Sequence, residues 1–237
     1  MEQSMEKENE QVENRSIDLT PFERPRSLND MAYESIKKGI LAGALVVGEV
    51  YSELKLAKQF GISRTPVREA LLRLSAEKLI SFHPRKGMSI NDFTGQDIES
   101  LFELRQAIEE SIVRKITTKI TDHQIQELKE IVAEQEGCLR DGNEESRFLE
   151  MDRRFHLFLV EASKNRFMVQ TYDSIRDYIT IPARKALRKP GRAEAVIKEH
   201  WEIVDALAHR DLKRVQGAIR KHMSTSKSTA TEEEADL

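Results

Sequence analysis

A lone cysteine, Cys138, stands among 237 residues, so the chain has no internal disulfide, and a cysteine-based zinc finger or iron–sulfur cluster would need more thiols. No stretch approaches the roughly 20 apolar residues that a bilayer-crossing helix requires, which excludes a helical membrane span. Aromatics are scarce at 6%, and the net charge is only −3, so neither names a partner and any nucleic-acid reading rests on local clusters. Met1 to Asn14 is acidic and polar rather than basic then apolar, so no secretory signal is expected and the cytoplasm is the default compartment. What the chain does have is charge, 33% against 39% hydrophobic, the profile of a soluble, helix-rich protein of one large domain or two ordinary ones.

The charge is unevenly placed. Residues 28–93 hold ten bases against seven acids, a surplus of +3 that leaves −6 for the rest. Within this basic stretch, Met31, Ile36, Ile40 and Leu41 recur at helical spacing until Gly43 and Gly48 break the pattern. A short helix follows, capped by Ser52 and stopped by Gly61. Ser63 or Thr65 can cap the next, Pro66 fits its first turn, and Val67, Leu71 and Leu74 form one buried stripe. Two short apolar runs, Leu79–Phe82 and Met88–Ile90, flank the basic turn Pro84-Arg85-Lys86-Gly87 and read as a β-hairpin. Beyond Asn91 six helical patterns succeed one another, the fourth (Arg166–Arg188) carrying Pro182 as an expected kink and the last ending near Ser224. The expected architecture is mainly α: a winged helix-turn-helix over 28–92, an all-helical bundle over 93–225, and mobile tails at 1–27 and 226–237.

Helix, helix, glycine-containing turn, helix and hairpin is the order of a DNA reader. Arg64 and Arg68 lie four apart at the start of the third helix, on one face and roughly opposite the apolar stripe. A recognition helix presents its opening residues to base edges, where each guanidinium fork can take O6 and N7 of a guanine. The Ser63 and Thr65 hydroxyls suit phosphate oxygens, Arg85 and Lys86 at the hairpin tip suit a neighbouring groove or backbone, and Gly87 permits the turn and close approach. The plainer alternative is a solvated basic face.

The run from Gly61 to Leu71, with Ser52-Glu53 and Leu56-Ala57 ahead and Pro84–Gly87 behind, resembles the DNA-binding domain of the GntR family over about 28–92. The resemblance implies a bacterial transcription regulator that binds short inverted repeats as a dimer, with contact roles on Arg64, Thr65, Arg68 and Gly87. Some members have an arginine where this chain has Leu54; Lys55 is the nearest base.

Of six histidines, three fall in expected helices alongside one acid. Asp152 and His156, at i and i+4, share a face beside Phe155 and Leu159, and His200 and His222 come from the last two helices. Helix bundles build metal sites from such inward-facing groups, and one carboxylate with three imidazoles suits zinc first, with nickel, manganese or iron as alternatives. For any one histidine alone, a satisfied, partly buried side chain is the plainer reading; His209, His123 and His83 are assigned to a helix end, a first turn and the hairpin.

Phe102 to Glu109, Asp152 to His156, Glu199-His200 followed by Ile203, and Arg220-Lys-His222 together resemble the FCD effector domain, the helical partner in the FadR-type branch, over about 95–225. That resemblance implies a divalent metal on Asp152, His156, His200 and His222, a small organic acid or related anion in the same cavity, and Arg105 as its grip. The alternative for Arg105 is a surface ion pair with Glu109. The expected function is a metabolite-responsive DNA-binding regulator, a repressor acting as a homodimer on operator DNA, with no enzymatic activity and no membrane partner. Its rivals are a metal-dependent hydrolase fused to a DNA-binding module, against which no His-Glu-x-x-His motif occurs, and a constitutive DNA-bound protein with an empty bundle.

Overall fold

The computed structural model describes residues 26–140 and 145–231. Helix α1 (Leu28–Leu41) is capped by the Ser27 side chain, which accepts from the Asp30 amide, and buries Ala32, Tyr33, Ile36 and Ile40. After strand β1 (Val50–Tyr51), α2 (Glu53–Phe60) is capped by Ser52 and ends at Gly61 in the left-handed conformation that favours glycine. Helix α3 (Arg64–Ala76) then buries Val67, Ala70, Leu71 and Leu74 against α1, the stripe expected from spacing. Strands β2 (Ile80–His83) and β3 (Gly87–Ile90) form the hairpin.

The hairpin gains a third strand that the sequence reading did not anticipate. β1 pairs antiparallel with β3 through Val50↔Ser89 and Tyr51↔Met88, giving the order β1-β3-β2. A two-residue strand has no alternation to detect. It also explains Gly87, which has φ +130° and whose missing Cβ would collide with the Tyr51 carbonyl oxygen. Gly87→Ala is therefore expected to destabilise the wing by roughly 1–3 kcal/mol from the backbone conformation alone, read as a lower urea midpoint.

Asn91–Phe93 lead into α4 (Gly95–Ile116), whose start is fixed by reciprocal hydrogen bonds between Thr94 and Asp97. The bundle continues with α5 (Asp122–Arg140), α6 (Glu145–Ala162), α7 (Arg166–Leu187), α8 (Arg192–Ala208) and α9 (Leu212–Thr231). α4 packs on α9, α7 and α6, and α5 packs on α6 and α8, around a core separate from that of the winged unit. Helix α7 continues through Pro182.

Helix α9 outruns the expected end near Ser224, so residues 226–231 are helix and not tail. The serine- and threonine-rich end is a poor helix former by propensity. Tertiary contacts override that: Ala230 is buried, Ser226 accepts a 2.7 Å hydrogen bond from Arg192, and the Thr225 and Thr229 hydroxyls donate to carbonyls four residues back. The tail expectations for 1–25 and 232–237 lie outside the described residues. Among the described residues no helix is long and apolar enough to cross a membrane.

The two units meet along one face of α7. Lys37 of α1 lies 2.7 Å from Asp177 and 3.0 Å from Glu77, the Tyr178 hydroxyl donates to the Glu77 carbonyl, and Arg184 donates to the Leu41 carbonyl at 2.5 Å.

Candidate metal centre and nucleic-acid interface

Three helices bring four side chains to one point inside the bundle. Asp152 and His156 come from α6, His200 from α8 and His222 from α9, and one ligand atom from each lies within 4.8 Å of all the others. All three imidazoles are fully buried or nearly so, and His200 stacks on Phe155 with ring centroids 4.1 Å apart. The Asp152 carboxylate, 3.6 Å from His200 Nε2, is the least buried of the four.

Each imidazole is aimed by a partner on its other nitrogen. His156 Nδ1 meets Glu109 of α4 at 2.8 Å, His200 Nδ1 meets Gln135 of α5 at 2.8 Å, and His222 Nδ1 meets Glu199 of α8 at 2.7 Å. Those acceptor oxygens place the proton on Nδ1 and turn the Nε2 lone pair inward. The Nε2 atoms of His156 and His200 are buried and hydrogen-bond to nothing among the described residues, which for a neutral polar atom in a core calls for a ligand. Burial pushes His200 well below the ordinary histidine value, and burial also lowers His222. Neutral imidazoles beside a carboxylate fit a divalent cation.

The outer ring is itself charged and paired. Burial alone would raise Glu109, but His156 and Arg105 overcome it and hold the carboxyl at about 2. Glu199, likewise raised by burial, is pulled down by His222 and by Arg192, which grips both of its oxygens at 3.0 and 3.1 Å. The expected alternative for Arg105, an ion pair with Glu109, forms through Nε at 2.8 Å, but it lies buried in the bundle and not at the surface. Tyr172 lies beside it with its phenol pushed up by burial. Sequence reasoning missed Gln135, Glu199 and Arg192 as members of this shell. Arg192, Arg105, Asp152, His222 and Ser226 all line a cavity of about 30 Å³ next to the cluster.

On the winged unit, Ser63, Arg64, Thr65 and Arg68 are exposed at the start of α3, and Arg85 and Lys86 are exposed at the hairpin turn. Ser63 stands at the helix cap with its side chain making no cap hydrogen bond, which leaves the hydroxyl available. The Arg64 guanidinium lies 3.3 Å from Glu53 of α2. Gly87 is only partly exposed, because β1 covers it. The remaining histidines fall elsewhere: His83 bonds Ser89 within the sheet, and His209 and His123 are exposed at helix ends.

Two family profiles divide the chain along the same lines. Residues 28–90 match bacterial regulatory proteins of the GntR family, and residues 100–225, more than half of the chain, match the FCD domain. The chain belongs to the GntR family. In this GntR-family regulator the first match encloses all seven candidate DNA contacts, and the second encloses Arg105 and all four candidate ligands. It is similar to the HTH-type transcriptional regulator YdhC of Bacillus subtilis, 27% identical with 88% of this chain and 93% of the relative covered. It is also similar to the HTH-type transcriptional repressor RspR of Escherichia coli, at 24% with 86% and 89% covered. The fold matches the solved structure of McbR/YncC from E. coli with a TM-score of 0.74, 20% identity, and 87% of this chain and 98% of that one covered. The family consists of DNA-binding transcriptional regulators with an effector domain, not enzymes, so the hydrolase alternative has no support.

Proposed function

We propose that this GntR-family regulator is a metabolite-responsive repressor that binds an inverted-repeat operator as a homodimer, and that its FCD domain holds a divalent cation, zinc foremost, on Asp152, His156, His200 and His222. The observation that carries the metal is the arrangement of three Nδ1–H groups on Glu109, Gln135 and Glu199, which leaves three Nε2 lone pairs free to converge with one carboxylate, all within 4.8 Å of one another. A bound cation supplies a fixed positive charge to which an organic acid's oxygens are drawn. Arg105 and Arg192 line the adjoining cavity and add cationic donors for the same anion. Operator contact falls to Arg64 and Arg68 on base edges, to Ser63, Thr65, Arg85 and Lys86 on nearby phosphates, and to Gly87 at the wing. Repression is supported by the similarity to RspR, named as a repressor.

Fluorescence anisotropy against DNA from immediately upstream of the coding sequence tests the reading. Purified protein with zinc is expected to bind that DNA, and a panel of hydroxy and dicarboxylic acids is expected to contain a member that weakens binding in a zinc-dependent way. DNA binding indifferent to chelator and to every acid, with no zinc in the purified protein, supports the constitutive rival. Glu109→Gln, which keeps the shape but removes the charge behind His156, is expected to lower zinc affinity about 10–100-fold in competition with a chromogenic chelator.

A further inference from the structure

The cavity beside the cluster is too small for the acid it would admit. About 30 Å³ is room for a water or two, whereas ligand pockets start near ~300 Å³. A wall must move. Phe102 and Phe148 sit within the core, Asp152 and His222 in the cluster, and Arg105 and Arg192 are held by Glu109 and Glu199. Ala186 borders the same core, but the segment that carries it has open space behind it. The other side is the last stretch of α7, with Ala183, Ala186 and Leu187 facing the cavity. Behind that same stretch lies a crevice of about 310 Å³, lined by Ile181, Pro182, Arg184, Lys185 and Arg188 on the α7 side. Its far wall is the winged unit, Ile40, Gly43, Leu45 to Val47 and Ile90, together with Phe93 of the connection. A single helical segment thus separates a cavity that must grow from a crevice with space to spare.

Pro182 begins that segment. It has no N–H to return to Tyr178, so the helix lacks a hydrogen bond there and bends most easily there. The attachments of the winged unit fall on both sides of it. Asp177 with Lys37, and Tyr178 with the Glu77 carbonyl, come before Pro182; Arg184, bonded to the Leu41 carbonyl and to Glu145 and packed on Gly43, comes after.

We infer that α7 is a lever: an anion entering the cavity displaces residues 183–188 about Pro182 into the crevice, and Arg184 carries the displacement to α1 while Asp177 and Tyr178 hold the fulcrum. The winged unit therefore rotates, and across a dimer a rotation spoils the half-site spacing on which operator binding depends. The inference rests on the reading of this cavity as the effector site, yet its test needs neither effector, metal nor DNA. Ala186→Phe places a ring in the cavity as a built-in occupant, and Ala183→Leu does so more gently.

Spin labels on Lys58→Cys of α2 and Lys129→Cys of α5, both exposed positions, report the distance between the units. The filled variants are expected to shift the mean distance, and Arg184→Met in the same background is expected to return it to the unfilled value. Arg184→Met alone is expected to broaden the distance distribution. On upstream DNA the filled variants are expected to change affinity on the order of tenfold, an ordinary allosteric coupling. A folded, filled variant with an unchanged distance overturns the lever, as does a shift that survives Arg184→Met or an unbroadened distribution in Arg184→Met alone. Failure of the effector reading shows separately, as protein that takes up no zinc and ignores every acid.

Discussion

Replacing Arg64 and Arg68 together by alanine is expected to weaken operator binding by between roughly 30-fold and 10⁴-fold, the sum of two guanine contacts worth about 1–3 kcal/mol each. Both side chains are exposed and sit away from the Val67, Leu71 and Leu74 stripe, so the melting temperature is expected to hold. On the proposed reading Arg64 leaves Glu53 to reach the groove, but a partly exposed pair of that kind is worth about 0–1 kcal/mol and does not offset a bidentate base contact. Glu53→Gln is accordingly expected to leave binding unchanged or slightly tighter. The comparison that decides the role is operator against scrambled DNA: base readers lose affinity on the operator alone, whereas Lys86→Ala weakens both and lowers the salt slope by about one. Retention of operator affinity in the double variant at moderate salt removes α3 as the recognition helix.

Much of this was legible in the chain because punctuation and period agreed. Gly61, Ser63 and Pro66 bracket the start of α3, and Val67, Leu71 and Leu74 set its buried face, so the arginine pair is placed by local rules alone. The candidate ligands were legible for a similar reason: Asp152 and His156 share a helix face, His200 and His222 fall within the last two expected helices, and the resemblance then implied the four as one set. What the sequence concealed was long-range. Glu109 and His156 are 47 residues apart, and Gln135 and His200 are 65 apart, so no window contains either pair. Glu199 adjoins His200 but faces away from it, and only the packing of α8 on α9 shows that it serves His222. β1 and the end of α9 were missed because both exist by tertiary contact, one against β3 and the other through Arg192 and Ala230, in segments whose own preferences are weak.

Stripping the metal is expected to lower the melting temperature of the helical unit by roughly 8–16 °C at free zinc near a thousand times its dissociation constant. Saturation of that degree stabilises by about 4 kcal/mol, and a chain of this size moves about 2–4 °C per kcal/mol. The winged unit has its own core of Ile36, Val67, Leu71 and Leu74, so the part of the transition belonging to it is expected to move less. His200→Ala is expected to abolish stoichiometric zinc, but it also opens a hole beside Phe155. The two costs separate when wild type and variant are each melted with and without chelator. The hole costs the variant the same in both conditions, whereas the metal's share is the part that chelator takes from wild type and cannot take from the variant. His83→Ala, on the wing with its imidazole bonded to Ser89, is the control expected to leave zinc content unchanged. Equal zinc content in wild type and His200→Ala, with curves that chelator does not move, would place the cation elsewhere and leave the three aimed imidazoles as a hydrogen-bonded core.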